Sequence, residues 1–187
     1  MNKIRAWHFV ADTRKLRDGQ KLKVGKTYHH DGPVEMCHSG LHASRRVLDA
    51  LRYAPGCTLC EVEVWGGVVE HSDKLVGRHR TVLSATDVTN VLHEFACQVA
   101  EQLLGAAGVK NVRSWDAIDA KRAWLRGDIS DAKLGKVWDA ALAVWDEARY
   151  AASTDARYAA WYTVWDTGVA RHDAWDDLND LLTDMVK

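Results

Sequence analysis

The chain has 187 residues, of which 47% are hydrophobic and 27% charged, and its formal net charge at pH 7 is −1. These values are typical of a globular domain or two small ones and exclude a disordered chain. No apolar run reaches the ~20 residues that span a bilayer, and residues 1–8 lack the apolar stretch of a secretory signal. We therefore expect a cytoplasmic protein with no membrane segment and with reduced cysteines.

The composition changes near residue 92. Residues 1–92 carry 14 Lys and Arg against 10 Asp and Glu, and they hold both prolines and most glycines. Residues 93–187 carry 11 Lys and Arg against 16 Asp and Glu, and they hold seven of the nine tryptophans. We predict an α+β protein: a small, mainly antiparallel β domain with one short helix over residues 1–86, and a helical hairpin or bundle over 87–187.

Strands and turns dominate the first half. Ile4–Ala11 is predicted as a strand with Trp7 and Phe9 on one face and the neighbouring positions on the other. Cys57–Trp65 alternates clearly between apolar and polar positions, and Leu22–Tyr28 and Arg78–Ala85 are predicted as further strands. Ser44 is the expected N-cap of a short helix over 45–53. Gly66-Gly67 predicts a turn.

From Asp87 the apolar period becomes helical. Asp87 is the expected N-cap of a helix that ends near Gly105, and Ser114, Ser130 and Ser153 are expected to cap further helices, with a last helix near 172–185. Tryptophans at helical spacing fill helix–helix cores, and they also anchor protein partners. Both interpretations stay open; the candidate partner-binding residues are Trp161, Trp165 and Trp175.

The most informative segment runs from Gly40-Leu41-His42-Ala43-Ser44 through Asp49-Ala50-Leu51-Arg52-Tyr53-Ala54-Pro55-Gly56. With Ala6-Trp7-His8-Phe9, it resembles a protein family common in bacteriophages and actinobacterial prophages, over roughly residues 4–100. The resemblance implies a phage origin. Together with the Trp-rich tail and the lack of a complete catalytic set, it favours a phage-type accessory protein that binds a host protein complex, with a host defence component as one candidate target, and without a cofactor.

The order of motifs is also similar, more distantly, to the ADP-ribosyltransferase core. That similarity implies NAD as the cofactor, with His8 on the ribose and His42 on the nicotinamide as catalytic residues, and Phe9 and Tyr53 as ligand contacts. Phe9 stands where these enzymes usually have glycine, and neither Glu70 nor Glu94 is placed as their late-strand glutamate. The alternative is that His8 is a hydrogen-bonded core residue and His42 satisfies a turn.

Two other site types are considered. A basic stretch predicts contacts to nucleic-acid phosphates, or else a solvated hairpin; it comprises Arg14, Lys15, Arg17, Lys21, Lys23 and Lys26. Cys57 and Cys60 have the spacing of half a zinc site, which Cys37, His38 and His42 would complete, but i and i+3 on a strand point to opposite faces. We therefore expect no metal site.

Overall fold

The computed structural model describes residues 2–16, 19–106, 108–151 and 168–187. The protein is α+β, as predicted, with antiparallel strands followed by helices. The strands are β1 (Ile4–Val10), β2 (Thr27–His29), β3 (Leu41–Ala43), β4 (Thr58–Trp65), β5 (Val69–Glu70), β6 (Leu75–Gly77) and β7 (His79–Asp87). The helices in this part of the chain are α1 (Val47–Leu51), α2 (Thr89–Ala106), α3 (Val112–Leu125), α4 (Asp131–Ala151) and α5 (Gly168–Val186).

The chain forms two compact units. The first unit comprises Met1–Thr89 and the C-terminal residues Asn179–Lys187, and the second comprises Asn90–Leu178. The sequence boundary at residue 87 lies close to this division, and the nine C-terminal residues, which contain no tryptophan, group with the strands. In the first unit, Leu182 of α5 is fully buried, and the Asn179 side-chain oxygen accepts a hydrogen bond from the Leu48 amide at 3.3 Å.

Two antiparallel sheets form the first unit. One has the strand order β1-β4-β7-β2 and the other β3-β6-β5. Both predicted strands are present, and their register places Ala6 opposite Val62 and His8 opposite Cys60. Burial alternates from Cys60 to Trp65 in β4, whereas Phe9 and Val10 at the end of β1 are both buried. One face of the sheet therefore supplies the core, because apolar side chains at every second position point the same way. The core residues include Ala6, Val10, Tyr28, Cys60, Val62, Val64, Leu75 and Val82.

The predicted strand at Leu22–Tyr28 is wrong in its first half, since β2 contains only Thr27–His29. Gly25 has a φ of +80°, a left-handed conformation that breaks an extended segment. The Tyr28 hydroxyl donates to the Lys21 carbonyl at 2.9 Å and accepts from the Lys23 amide at 2.9 Å. The segment therefore loops around a buried tyrosine instead of extending the sheet.

The prediction that Ser44 caps a helix is also wrong. Ser44 pairs with β1 instead: the Trp7 amide donates to the Ser44 carbonyl at 2.7 Å, and the Ser44 amide donates to the Trp7 carbonyl at 2.9 Å. The helix consequently begins later, at Val47. This bridge places β3 beside β1, on the edge that β4 leaves open.

The predicted helix starts have mixed outcomes. The Asp87 carboxylate accepts from the Thr89 amide at 2.9 Å, which confirms it as a cap. For α3 the cap is Asn111, whose side chain accepts from the Arg113 amide at 3.0 Å, and not Ser114. Ser130 accepts from the Lys133 amide at 3.4 Å, at the start of α4. Ser153 lies outside the described residues.

Arg122 links helices α2 and α3 of the second unit through ion pairs. Its guanidinium on α3 reaches two carboxylates of α2, Glu94 at 3.0 Å and Glu101 at 2.8 Å. Trp115 and Trp124 are partly buried and donate their indole N–H to Val109 and Asp131, respectively. These two indoles therefore pack within the unit, as the core-packing interpretation predicts.

Candidate functional site

A cleft of about 1010 Å³ lies within the first unit, where β1 and β3 meet at the Trp7–Ser44 bridge. Its lining includes both histidines selected from the sequence, His8 and His42, and both candidate ligand contacts, Phe9 and Tyr53. The pattern of strands alone could not bring these residues together, because 33 residues separate the two histidines. The pairing of Ser44 with Trp7 does so by placing β3 next to β1.

His8 projects from the core face of β1 and is partly buried. Burial lowers the pKa of His8 well below its ordinary value, and the positive charge of Arg80 and the proximity of His42 lower it further. His8 is therefore a neutral imidazole near pH 7. In this state it offers a ligand one hydrogen-bond donor and one acceptor rather than a charge.

Arg80 is the site residue that the sequence did not reveal. It lies on β7, is only 4% exposed, and donates from Nη1 to the carbonyl oxygen of His42 at 2.6 Å. A charged side chain inside an extended segment predicts a solvent-facing position, and only the packing of β3 over this face buries it. Arg80 thus connects β7 with β3 and places a positive charge beside His8.

The imidazole of His42 has a defined hydrogen-bonding state. Its Nε2 accepts from the Cys37 amide at 3.1 Å, so this nitrogen carries no hydrogen. A neutral His42 consequently holds its proton on Nδ1. Cys37 is exposed, lines the cleft, and has a φ of +67°, which is uncommon for a residue other than glycine.

Tyr53 stands at the rim of the cleft and is half exposed. Its hydroxyl donates to Asp73 at 2.5 Å and accepts from the Lys74 ammonium at 3.3 Å. The pKa of Asp73 is lowered by the Tyr53 hydrogen bond and by the charges of Lys74 and Arg52. The phenol is therefore held by two hydrogen bonds at an exposed position, with the Lys74 ammonium 4.7 Å from its ring centroid.

The permanently charged residues of the lining are all positive. The described residues that line the cleft include three permanent cations, Lys15, Lys74 and Arg80, and none of them is an aspartate or glutamate. Five histidines line it as well: His8, His29, His30, His38 and His42. Because the cations have no carboxylate among them, the cleft suits an anion.

The two glutamates considered for the transferase role lie elsewhere. Glu70 on β5 pairs with Arg45, which lowers the pKa of Glu70, and Glu94 on α2 pairs with Arg122. Neither residue lines the cleft. The described lining therefore contains no carboxylate of the kind that the transferase similarity implies.

The remaining predicted residues are dispersed. Of the basic stretch, Lys15 lines the cleft and its backbone forms an isolated antiparallel β-bridge with Lys21. The Lys26 ammonium lies 4.6 Å from the centroid of the Tyr28 ring. Arg14 has a φ of +52°, Lys23 lies in the turn before Gly25, and Arg17 falls outside the described residues. Trp161 and Trp165 also fall outside them, and for Trp175 only the backbone, on α5, is described.

Cys57 and Cys60 do not share a site. Cys60 is fully buried in the core of the sheet, where burial raises its pKa to about 11, while Cys57 precedes β4 and is partly exposed. Within the described ranges, no group of three or more His, Cys, Asp or Glu side chains is arranged to hold a metal ion. None of the helices described there is long and apolar enough to cross a bilayer.

Comparison with known proteins gives one match. A family model described as "Domain of unknown function (DUF7666)" matches residues 4–94, which cover all seven strands and the cleft. No curated protein and no solved structure matches the chain. The matched segment ends just after the start of α2, so it excludes most of the helical unit.

Proposed function

We propose that the first unit is a binding domain for a nucleotide, with NAD as the leading candidate, and that the ligand occupies the cleft around His8, His42 and Arg80. The observation that carries this proposal is the composition of the lining: cations and imidazoles, aromatic rings, and no carboxylate among the described residues. A nucleotide combines the two features that such a lining recognises, a phosphate anion and a planar base.

The electrostatics favour the phosphate. Arg80 is already desolvated and aimed at the β3 backbone, so an anion beside it gains a charge-assisted interaction in a setting of low dielectric. Lys15 and Lys74 add positive charge elsewhere on the lining. The neutral state of His8 fits a hydroxyl partner such as a ribose, since a neutral imidazole both donates and accepts.

The aromatic residues favour the base. Trp7 and Tyr53 line the cleft with accessible surface, and Tyr53 is fixed by its bonds to Asp73 and Lys74. Phe9 and Tyr28 also line it but are only 3% exposed, so they shape its wall and do not offer a ring face. Planar bases stack on aromatic side chains with a gain of roughly 1–3 kcal/mol each. Nicotinamide–ribose cleavage would also need a group that stabilises an oxocarbenium-like state, and the described lining supplies no carboxylate for that role. Binding without turnover is therefore the function we favour.

Thermal unfolding with NAD, ADP-ribose, AMP and nicotinamide tests the proposal. A ligand at 100 times its Kd adds ~2.7 kcal/mol, which for a chain of this size corresponds to a Tm increase of roughly 5–10 °C. We expect stabilisation by the phosphate-bearing ligands and little by nicotinamide alone. A Tm that stays constant with all four ligands at millimolar concentration would refute the proposal.

Variants locate the ligand. Arg80→Met should abolish the stabilisation, while Arg78→Met, two residues away and outside the lining, should preserve it. Because Arg80 is buried, Lys74→Met serves as a second variant at the rim, where we expect a severalfold increase in Kd. Release of nicotinamide from NAD that is lost in His8→Gln would show that the domain cleaves NAD, with water or another acceptor taking the ADP-ribosyl group, rather than only binding it.

We propose a second function for the helical unit, namely binding of a protein partner. Trp138 on α4 is 49% exposed, and an exposed indole is the type of residue that anchors protein interfaces. A photoreactive side chain at position 138 should crosslink one defined partner in cells, and Trp138→Ala should abolish binding of that purified partner. Equal affinity of wild type and variant would refute this role.

A further inference from the structure

A row of three rings crosses the four-stranded sheet at one end. Trp65, His79 and His29 lie directly opposite one another on β4, β7 and β2. The indole of Trp65 stacks on the His79 ring with centroids 5.2 Å apart and an interplanar angle of 16°. On the side of Gly66, a Cβ would come within 2.8 Å of the His79 ring, so glycine leaves the room that this ring fills. The His79 imidazole is therefore fixed in place.

His29 is oriented by a carboxylate. Its Nε2 lies 2.9 Å from Asp31 Oδ1. A carboxylate only accepts, so Nε2 carries the hydrogen, and a neutral His29 has a free electron pair on Nδ1. That Nδ1 lies 3.1 Å from Nδ1 of His79. Two imidazole nitrogens thus converge on one point at the sheet edge.

The two rings lie with their centroids 4.5 Å apart and an interplanar angle of 31°, so a proton shared between the two nitrogens, or a metal ion to one side of the line that joins them, can satisfy both. A tetrahedral zinc with Zn–N bonds of 2.0–2.1 Å places its two nitrogens about 3.3 Å apart, close to the separation found here. A ligating histidine also usually donates its other ring N–H to a carboxylate, which is the relation between His29 and Asp31. A simple hydrogen bond between the rings requires no such carboxylate.

We propose that His29 and His79 bind a divalent transition-metal ion through their Nδ1 atoms, with Asp31 orienting His29 from behind. Imidazole nitrogen suits zinc, copper and nickel, and not magnesium or calcium. No third protein ligand completes the set within the described residues, so water or an exogenous ligand fills the other positions. The two proposals share one residue, because His29 also lines the nucleotide cleft, whereas His79 and Trp65 do not. Zinc binding that is lost in His79→Gln while nucleotide binding is kept therefore separates the two sites.

Calorimetric titration of the full chain with ZnCl₂, NiCl₂ and MgCl₂ tests the site. We expect one zinc or nickel ion per chain and no heat from magnesium. His29→Gln and His79→Gln should each weaken zinc binding at least tenfold. Asp31→Asn should weaken it by about tenfold or less, the low end of the range for substitutions behind a ligating histidine, because the Asp31 side chain is 94% exposed. His30→Gln is the matched control, since the His30 Nε2 faces the Pro33 carbonyl, and it should leave zinc affinity unchanged.

Two further measurements make the result decisive. Nitrogen-15 NMR of the imidazoles should show Nδ1 of both His29 and His79 shifting on addition of zinc, which a merely structural contact would not produce. Cys37→Ser should retain the zinc, because the proposed ligands are nitrogens. Absence of binding in the wild type, or undiminished binding in the His29→Gln/His79→Gln double variant, would overturn the proposal.

Discussion

Acid should destabilise this protein through His8. In the native state, burial, Arg80 and His42 hold the pKa of His8 well below its ordinary value of about 6.5. In the unfolded chain that ordinary value is restored. Below about pH 6.5 the unfolded state therefore binds a proton that the native state does not, so the stability contributed by neutral His8 is present above this pH and is lost as the pH falls.

The magnitude follows from the linkage relation. If His8 stays neutral in the native state, lowering the pH from 7.5 to 5.5 costs about 1.4 kcal/mol of unfolding free energy, since one titrating group changes stability by at most about 1.4 kcal/mol per pH unit. This loss is a substantial part of the 5–15 kcal/mol that typical domains possess. It requires no change in the native contacts.

Urea unfolding at pH 7.5, 6.5 and 5.5 measures this loss in the wild type and in His8→Gln, whose side chain does not titrate. The difference between the two proteins should shrink by about 1.4 kcal/mol between the highest and the lowest pH. His93, whose pKa is also lowered by burial and by Lys121, contributes equally to both proteins and cancels. His38→Gln, an exposed position on the cleft, is the matched control. Parallel pH dependences in wild type and His8→Gln would refute the reasoning.

Three further predictions concern other parts of the chain. At pH 8, a disulfide reagent should modify exposed Cys37 in the native protein but reach Cys60, buried with a pKa of about 11, only after unfolding; native-state labelling of Cys60, read by mass spectrometry, would contradict this. Gly40→Ala should cost about 1–3 kcal/mol more than Gly67→Ala in urea unfolding, because both glycines have positive φ but only at Gly40 would a Cβ meet β6, at 2.6 Å. Arg122→Met should lower stability by about 1 kcal/mol at low salt and by less at 1 M salt, because its pairs with the two α2 glutamates are only partly buried; a salt-independent loss would mean that packing dominates.

The sequence predicts the parts of the fold that repeat locally. β1, β4 and the helix after Asp87 each extend over seven or more residues, and the prediction of all three elements is confirmed. β3 contains only three residues, too few for an alternation to be recognised, and its pairing with β1 depends on a partner 37 residues away. The failed cap at Ser44 has the same origin, since pairing with Trp7 uses the backbone groups that would have begun the helix.

The residues of the candidate site also differ in whether a local sequence pattern could indicate them. His8 and His42 were found because their flanking motifs are distinctive, whereas Arg80 was missed because its burial is a tertiary property. Three strands meet at that residue: β7 carries it, β2 places Tyr28 opposite it, and β3 supplies the carbonyl that it reaches. No local window of the sequence contains these partners, so the positive interior of the cleft could not be predicted.

The positive cleft also depends on where the carboxylates go. Several acidic side chains of the first unit are paired with Lys or Arg outside the lining: Glu63 with Lys3, Glu61 with Arg5, Glu70 with Arg45, Asp49 with Arg46 and Asp73 with Arg52. These pairs neutralise much of the unit's surface charge. The charge of Lys74 also acts on the neighbouring Asp73, but none of the described residues that line the cleft is itself an aspartate or glutamate. A unit with a modest excess of positive charge can therefore concentrate that excess in one cleft, and this local concentration, rather than the total charge, makes an anionic ligand the expected occupant.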